Sequence, residues 1–232
     1  MSRKALLAPA TLAALVLTSV GAADAHLFHF ANVQSRETQV ARDFRLIKEL
    51  TQWRTKDFLL AAQVYRGELR ARERKPSEPG YLLKADYQRR PTSPPLKALV
   101  EGMDRRRGTS VDAEIEAVLA RRDEAGLEAA FRTFFHAQVQ DLLEVLDQRL
   151  AEPQPAATLF AVLTDYLFTS YEVFLALNHP RVHTQVQDAL ARLRDALPGA
   201  APPKPADPAG FARSRRRVES LLASVALRAA PR

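Results

Sequence analysis

The sequence predicts an all-α protein: a helical bundle with a long first helix, a central hydrophobic helix and a basic amphipathic helix after a Pro/Ala linker. Three observations predict it. Apolar residues recur at three- and four-residue steps over most of the chain, which is the period of one helix face. The 15 prolines fall almost entirely between these periodic segments, where a missing N–H and a fixed φ do no damage to a helix. Glycine occurs only 8 times, and β-branched residues never alternate with polar ones over a sustained run, so there is no strand pattern to compete.

The first segment, MSRKALLAPATLAALVLTSV, places Arg3 and Lys4 before an apolar run from Ala5 to Val20, and small residues approach Ala25. That order is the pattern of a secretory signal peptide. Residues 1–25 are therefore expected to be removed on export, which places the protein in the periplasm or outside the cell. The apolar run is interrupted by Pro9 and falls short of the ~20 residues a bilayer requires. No membrane-spanning segment is expected in the mature chain.

Residues 26–197 make up the expected bundle domain. Its first helix is predicted over 35–73, with Val40, Phe44, Ile47, Thr51, Phe58, Ala61, Tyr65 and Leu69 on one face and an interruption near Arg54. The stretch KPSEPGYLLKADYQRRPTSPP follows, too rich in proline to be helical. Short helices are predicted at Leu96–Arg106 and 110–125. An amphipathic helix over 127–150 carries Leu127, Phe131, Phe135, Leu142 and Leu146 on one face. The stretch from Thr158 to Asn178 is apolar almost all round, which predicts a central helix covered on several sides. Pro180 then opens a helix bearing Val182, Val186, Leu190 and Leu193. Residues 198–210 form the Pro/Ala linker, expected to be extended. Residues 211–232 form the basic amphipathic helix, read as a detachable arm.

The chain has no cysteine, which excludes disulfides, thiolate metal sites and a lipoprotein anchor on cysteine. It has no Gly-x-Ser-x-Gly turn, no glycine-rich phosphate loop and no His-Glu-x-x-His, the usual signatures of hydrolase, kinase and zinc-protease chemistry. The sequence leans away from an enzyme. Its net charge is +7. An exported protein meets little nucleic acid, so this charge is expected to serve solubility or to face anionic lipid, cell-wall polymer or an acidic partner.

Four groups of residues remain as candidates. The first is the new chain end. A cut after Ala25 leaves His26 as the first residue and His29 as the fourth; an N-terminal histidine chelates Cu(II) through its α-amine and ring. At His26 this resembles the histidine brace of copper proteins such as lytic polysaccharide monooxygenases. A cut after Ala23 instead leaves Asp24-Ala25-His26, which resembles the amino-terminal copper site of serum albumins and suits Cu(II) or Ni(II). The second candidate is a metal site in the bundle core from His136, Asp165 and Glu172, in the manner of bundles that build sites from facing helices. Asp165, Thr169 and Glu172 share one stripe of the central helix; the alternative is a polar seam paired with basic residues. The third is His179 with His183, four residues apart across a helix start. The fourth is the basic helix, where Arg213, Arg215, Arg216 and Arg217 could grip anionic membrane or an acidic partner, or simply cover a packed helix.

The leading expectation is an exported, non-enzymatic binding or accessory protein whose apolar groove or basic arm engages a protein, ligand or envelope partner. The alternative is a copper- or nickel-binding protein using His26, and after it a metal site in the core.

Overall fold

The computed structural model describes residues 38–52, 56–72, 87–88, 93–200 and 202–226. They are predominantly helical, an all-α fold with two short two-stranded ribbons. The described residues gather into two compact units, Glu37–Phe134 and those from Phe135 onward.

In the first unit, the helix expected over 35–73 is two helices, α1 (Gln39–Gln52) and α2 (Phe58–Arg66), which pack against each other. The chain reverses between them: Lys56 has a left-handed φ of 40°, and the Asp57 N–H donates to the Leu50 carbonyl at 2.7 Å. Asp57 then caps α2, its side chain accepting from the Leu60 N–H at 3.0 Å. This is the ordinary chemistry of a helix start. An aspartate ahead of the run FLLAA is the signal that the apolar period alone passed over. Helix α2 stops at Gly67, whose φ of 81° favours glycine. A Cβ there would also lie 2.4 Å from the Pro95 Cβ.

Beyond Gly67 the chain turns extended, and β1 (Arg70–Ala71) pairs antiparallel with β2 (Tyr87–Gln88). Arg70 is buried. Its Nε donates to Asp43 Oδ2 on α1 at 2.7 Å, and its Nη atoms donate to the carbonyls of Ser93 and Pro94. Asp43 also accepts from the Ala71 N–H at 2.8 Å and from Gln39 Nε2 at 2.9 Å. Helices α3 (Leu96–Arg107) and α4 (Val111–Arg121) complete this unit with the start of α5 (Glu124–Gln148). The ring of Phe131 on α5 lies 4.8 Å from that of Phe44 and 6.0 Å from that of Tyr65.

The second unit begins inside α5. Helix α6 (Pro153–Leu167) opens with proline, which suits a first helical position. It continues without interruption into a π-turn (Phe168–Glu172) and α7 (Val173–Asn178). The whole run of 26 residues has a mean hydropathy of 1.3 in its most apolar window, enough to cross a membrane by length and composition. Of that window, 56% is buried inside the protein. The core helix of a soluble protein meets the same criterion. Helix α8 (Pro180–Asp195) follows, then a hairpin of β3 (Gly199–Ala200) and β4 (Pro203–Lys204), then α9 (Pro208–Ala226).

Two expectations are corrected here. The stretch 198–210 is not an extended linker: β3 and β4 fold it back, and the Asp207 N–H donates to the Ala196 carbonyl at 2.9 Å. Nor is the basic helix a detachable arm. It begins at Pro208 and packs along α8, burying Phe211, Val218, Leu221, Leu222 and Val225. Hydrophobic burial of about 1.5–3 kcal/mol per large side chain holds it there.

Candidate functional site

The most unusual local structure in the second unit is the π-turn. Its hydrogen bonds span five residues rather than four, so it accommodates one extra residue per turn. Everything downstream is then set back by about 100° relative to an uninterrupted α-helix. Within it the Ser170 hydroxyl donates to the Tyr166 carbonyl, an acceptor that an α-helix assigns to the Ser170 N–H, and side-chain bonds of this kind bend helices.

The consequence is an exposed apolar ridge. Before the π-turn the helix is buried as expected, with Leu159, Val162, Leu163, Tyr166 and Leu167 in the core. Phe135 of α5 meets Tyr166 edge-on, with ring centroids 5.4 Å apart. From its first residue onward, Phe168, Val173 and Leu177 are 59%, 62% and 77% exposed. Tyr171 and Leu175 stay buried at 1% exposure each, so the second half of the central helix is covered on one face and open on the other, rather than covered on several sides as expected. In an α-helix residues five apart would lie about 140° from each other. The π-turn stacks Phe168 near Val173, and the ordinary i, i+4 spacing places Leu177 beyond it. Three apolar side chains share one outer face.

Beside this ridge the same turn carries a polar cluster. Glu172 Oε1 faces His183 Nε2 of α8 across 3.9 Å, with the two side chains 30% and 26% exposed. Burial pushes the Glu172 carboxyl above its ordinary range, and the charge of His183 pulls it partly back. Glu172 Oε2, His183 Nε2 and Thr169 Oγ1 are buried atoms that make no hydrogen bond. Other hydroxyls on these helices behave differently: Thr158, Thr164, Ser170 and Thr184 each donate to the carbonyl four residues back.

Of the residues singled out in the sequence, His26 and His29 lie outside the described residues. His136 contacts Gln140 of its own helix, Nε2 to Nε2 at 3.2 Å. Asp165 is buried on α6, and its charge adds to the burial that drives the Tyr166 hydroxyl well above its ordinary range. Among the described residues no group of three His, Asp or Glu side chains is gathered as a metal would need, so His136, Asp165 and Glu172 do not form one set. Glu172 finds a histidine, but it is His183. Helix reversal at His179 and Pro180 brings the two together, and no short-range spacing encodes that.

The basic helix is divided in its use. Arg215 donates to Glu219 at 2.8 Å and to Asp147 at 3.0 Å, which pins it to α5. Arg217 donates to Gln185 of α8 at 2.9 Å. Arg213 and Arg217 line an open groove of about 590 Å³ between α8 and α9, together with Asp188, Asp195 and Asp207. Arg216 points to a second, shallower depression with Glu144 and Glu219. Each arginine thus has acidic or polar neighbours of its own chain.

Fold and site together define an all-α protein with an exposed apolar ridge and an unsatisfied polar cluster on one π-turn. No family model matches the chain, and neither does any curated protein or solved structure compared with it.

Proposed function

We propose that this is an exported, non-enzymatic binding or accessory protein that engages a protein partner through the ridge of Phe168, Val173 and Leu177. The observation that carries it is the exposure of these three side chains on a single face. Isolated exposed apolar residues are common on any protein, but a contiguous apolar face is a contact surface. The helix that bears the ridge is anchored by its buried first half, so the face is held ready rather than assembled on binding. Arg215 and Arg217 of α9, by contrast, are already engaged within their own unit.

A photo-crosslinking amino acid placed at 173 or 177 in the cell should give a discrete protein adduct. The same group at the exposed, polar Gln187 should give none. Phe168→Glu should remove the adduct at 177 while the melting temperature stays within about 2 °C, since exposed positions away from the core change stability little. Absence of an adduct at both ridge positions, or equal labelling at 187, overturns the proposal. A copper- or nickel-binding amino terminus at His26 stays as the second reading. It rests on the residues Asp24-Ala25-His26 and is tested by Cu(II) titration of the exported protein.

A further inference from the structure

Ser214 sits on α9 with only 7% of its surface exposed, and its hydroxyl makes no hydrogen bond with another described residue. Ser170 and Ser224, by contrast, each donate to a carbonyl three or four residues back on their own helix. A buried polar side chain without a partner calls for an explanation. The place that Ser214 lines supplies one: the groove of about 590 Å³ between α8 and α9.

The groove follows from the way the two helices run. Arg217 meets Gln185 at one end, and the Asp207 N–H meets the Ala196 carbonyl at the other, so α9 returns antiparallel to α8. Ala189, Ala196 and Gly210 line the groove beside Ser214, and side chains this small leave room between the helices. Three arginines (Arg192, Arg213 and Arg217) and three aspartates (Asp188, Asp195 and Asp207) line it as well, so its charges are formally balanced. Half of these groups are already in use. Asp195 accepts from Arg194, Asp207 accepts from the Gly210 N–H, and Arg217 donates to Gln185. Asp188, Arg192 and Arg213 form no ion pair with another described residue. Asp188 and Arg192 stand four apart on α8, the spacing at which an acid and a base ordinarily pair, and still they do not.

These groups describe a ligand. An arginine fork donates in parallel to both oxygens of a carboxylate, and the Ser214 hydroxyl adds a further donor. The Asp188 carboxylate only accepts, which suits an ammonium group. A dianion such as phosphate would meet three carboxylates in the same groove, and a simple cation would meet three guanidinium groups. A molecule carrying both signs is therefore favoured over either. Residues four apart on a helix face are about 5–6 Å from each other at Cβ, so the two charges of the ligand must lie close together, as they do on the single α-carbon of an amino acid.

We propose that the groove between α8 and α9 binds a free α-amino acid. Arg192 and Arg213 hold its carboxylate, Asp188 holds its ammonium group, and the Ser214 hydroxyl donates to the carboxylate. The site shares no residue with the ridge of Phe168, Val173 and Leu177 and needs no protein partner there.

The test is calorimetric titration of the purified full chain with each of the common L-amino acids at millimolar concentration, and with acetate, methylammonium and inorganic phosphate. At least one amino acid should bind saturably, and more tightly than the three simple ions. Asp188→Asn and Arg213→Gln should each weaken that binding by at least about tenfold, the effect of losing a charged hydrogen-bonding partner. Ser214→Ala should weaken it by a smaller factor, and Arg216→Gln, outside this groove, should leave it unchanged. Asp188 and Arg213 are exposed, so these variants should keep the wild-type melting temperature. Ser214→Ala should keep it too, since its hydroxyl has no hydrogen bond to lose. No saturable binding by any amino acid, equal binding of acetate or phosphate, or binding that survives both Asp188→Asn and Arg213→Gln overturns the site. None of these results bears on the crosslinking of the ridge.

Discussion

Asp43 and Arg70 are the most fully buried ion pair among the described residues, and their chemistry is structural. The carboxylate accepts from Arg70, Gln39 and the Ala71 N–H, and the guanidinium's other donors reach Ser93 and Pro94. Burial nevertheless outweighs the attraction of Arg70 and holds the Asp43 carboxyl above its ordinary range. A pair of this kind gains little over apolar packing but is costly to split. Asp43→Ala is therefore expected to destabilise the protein by about 3–5 kcal/mol, because it leaves Arg70 charged and unpaired. Asp43→Leu with Arg70→Met should cost clearly less than the two single changes added together. Urea melts of the four proteins in the cycle measure this. If the double variant loses the full sum, the pair is not coupled and the desolvation argument fails.

At the scale of elements, α4 shows how one helix supports the next. Ser110, at its N-cap position, makes no side-chain capping bond. Asp104, from the end of α3, does the work, accepting from the N–H groups of Val111 and Asp112 at 3.0 and 2.8 Å and from the Thr109 hydroxyl. Partial burial would raise the Asp104 carboxyl, but these three donors overcome it and hold the group below its ordinary 3.8. The sign follows. A carboxylate lowered by folding contributes stability above pH ~4, and that contribution is lost as pH falls through the lower folded value. Glu116, held down first by Arg66 and then by Lys97, acts in the same direction. Asp104→Ala should cost about 1 kcal/mol at pH 7. In denaturant melts between pH 6 and 3 its deficit against the wild type should shrink as the pH falls. A constant deficit would show that the charged form is not what caps α4.

For each compact unit as a body, the C-terminal helix decides whether the second one holds. Phe211 is buried where α9 meets α8, and Asp207 both bonds back to Ala196 and accepts from the Gly210 N–H at 2.8 Å. Phe211→Ala should cost about 3–5 kcal/mol. Ending the chain after Leu197 should strip the cover from Leu190 and Leu193 of α8 and abolish the cooperative thermal transition of this unit. Limited proteolysis with circular dichroism measures both changes. A truncated chain that melts as sharply as the full one would return α9 to the status of an arm.

Much of this protein was legible in its residues. Periodicity and the placement of proline gave the all-α class, the helix that Leu96 opens, the strongly apolar run before Phe168 and the new start at Pro180, because each depends on neighbours within four residues. Local chemistry misread locally also explains the errors. Asp57 and Gly67 end one helix and begin another, and an apolar stripe that keeps its step does not reveal the reversal between them. The π-turn is invisible to a search for 3.6-residue spacing, since its own five-residue step scatters Phe168, Val173 and Leu177 over different faces of an ideal helix. What tertiary structure alone decided is pairing at a distance: Arg70 with Asp43, Glu172 with His183, and α9 against α8. These contacts join residues 11 or more positions apart through chain reversals, and composition and period carry no record of which face meets which.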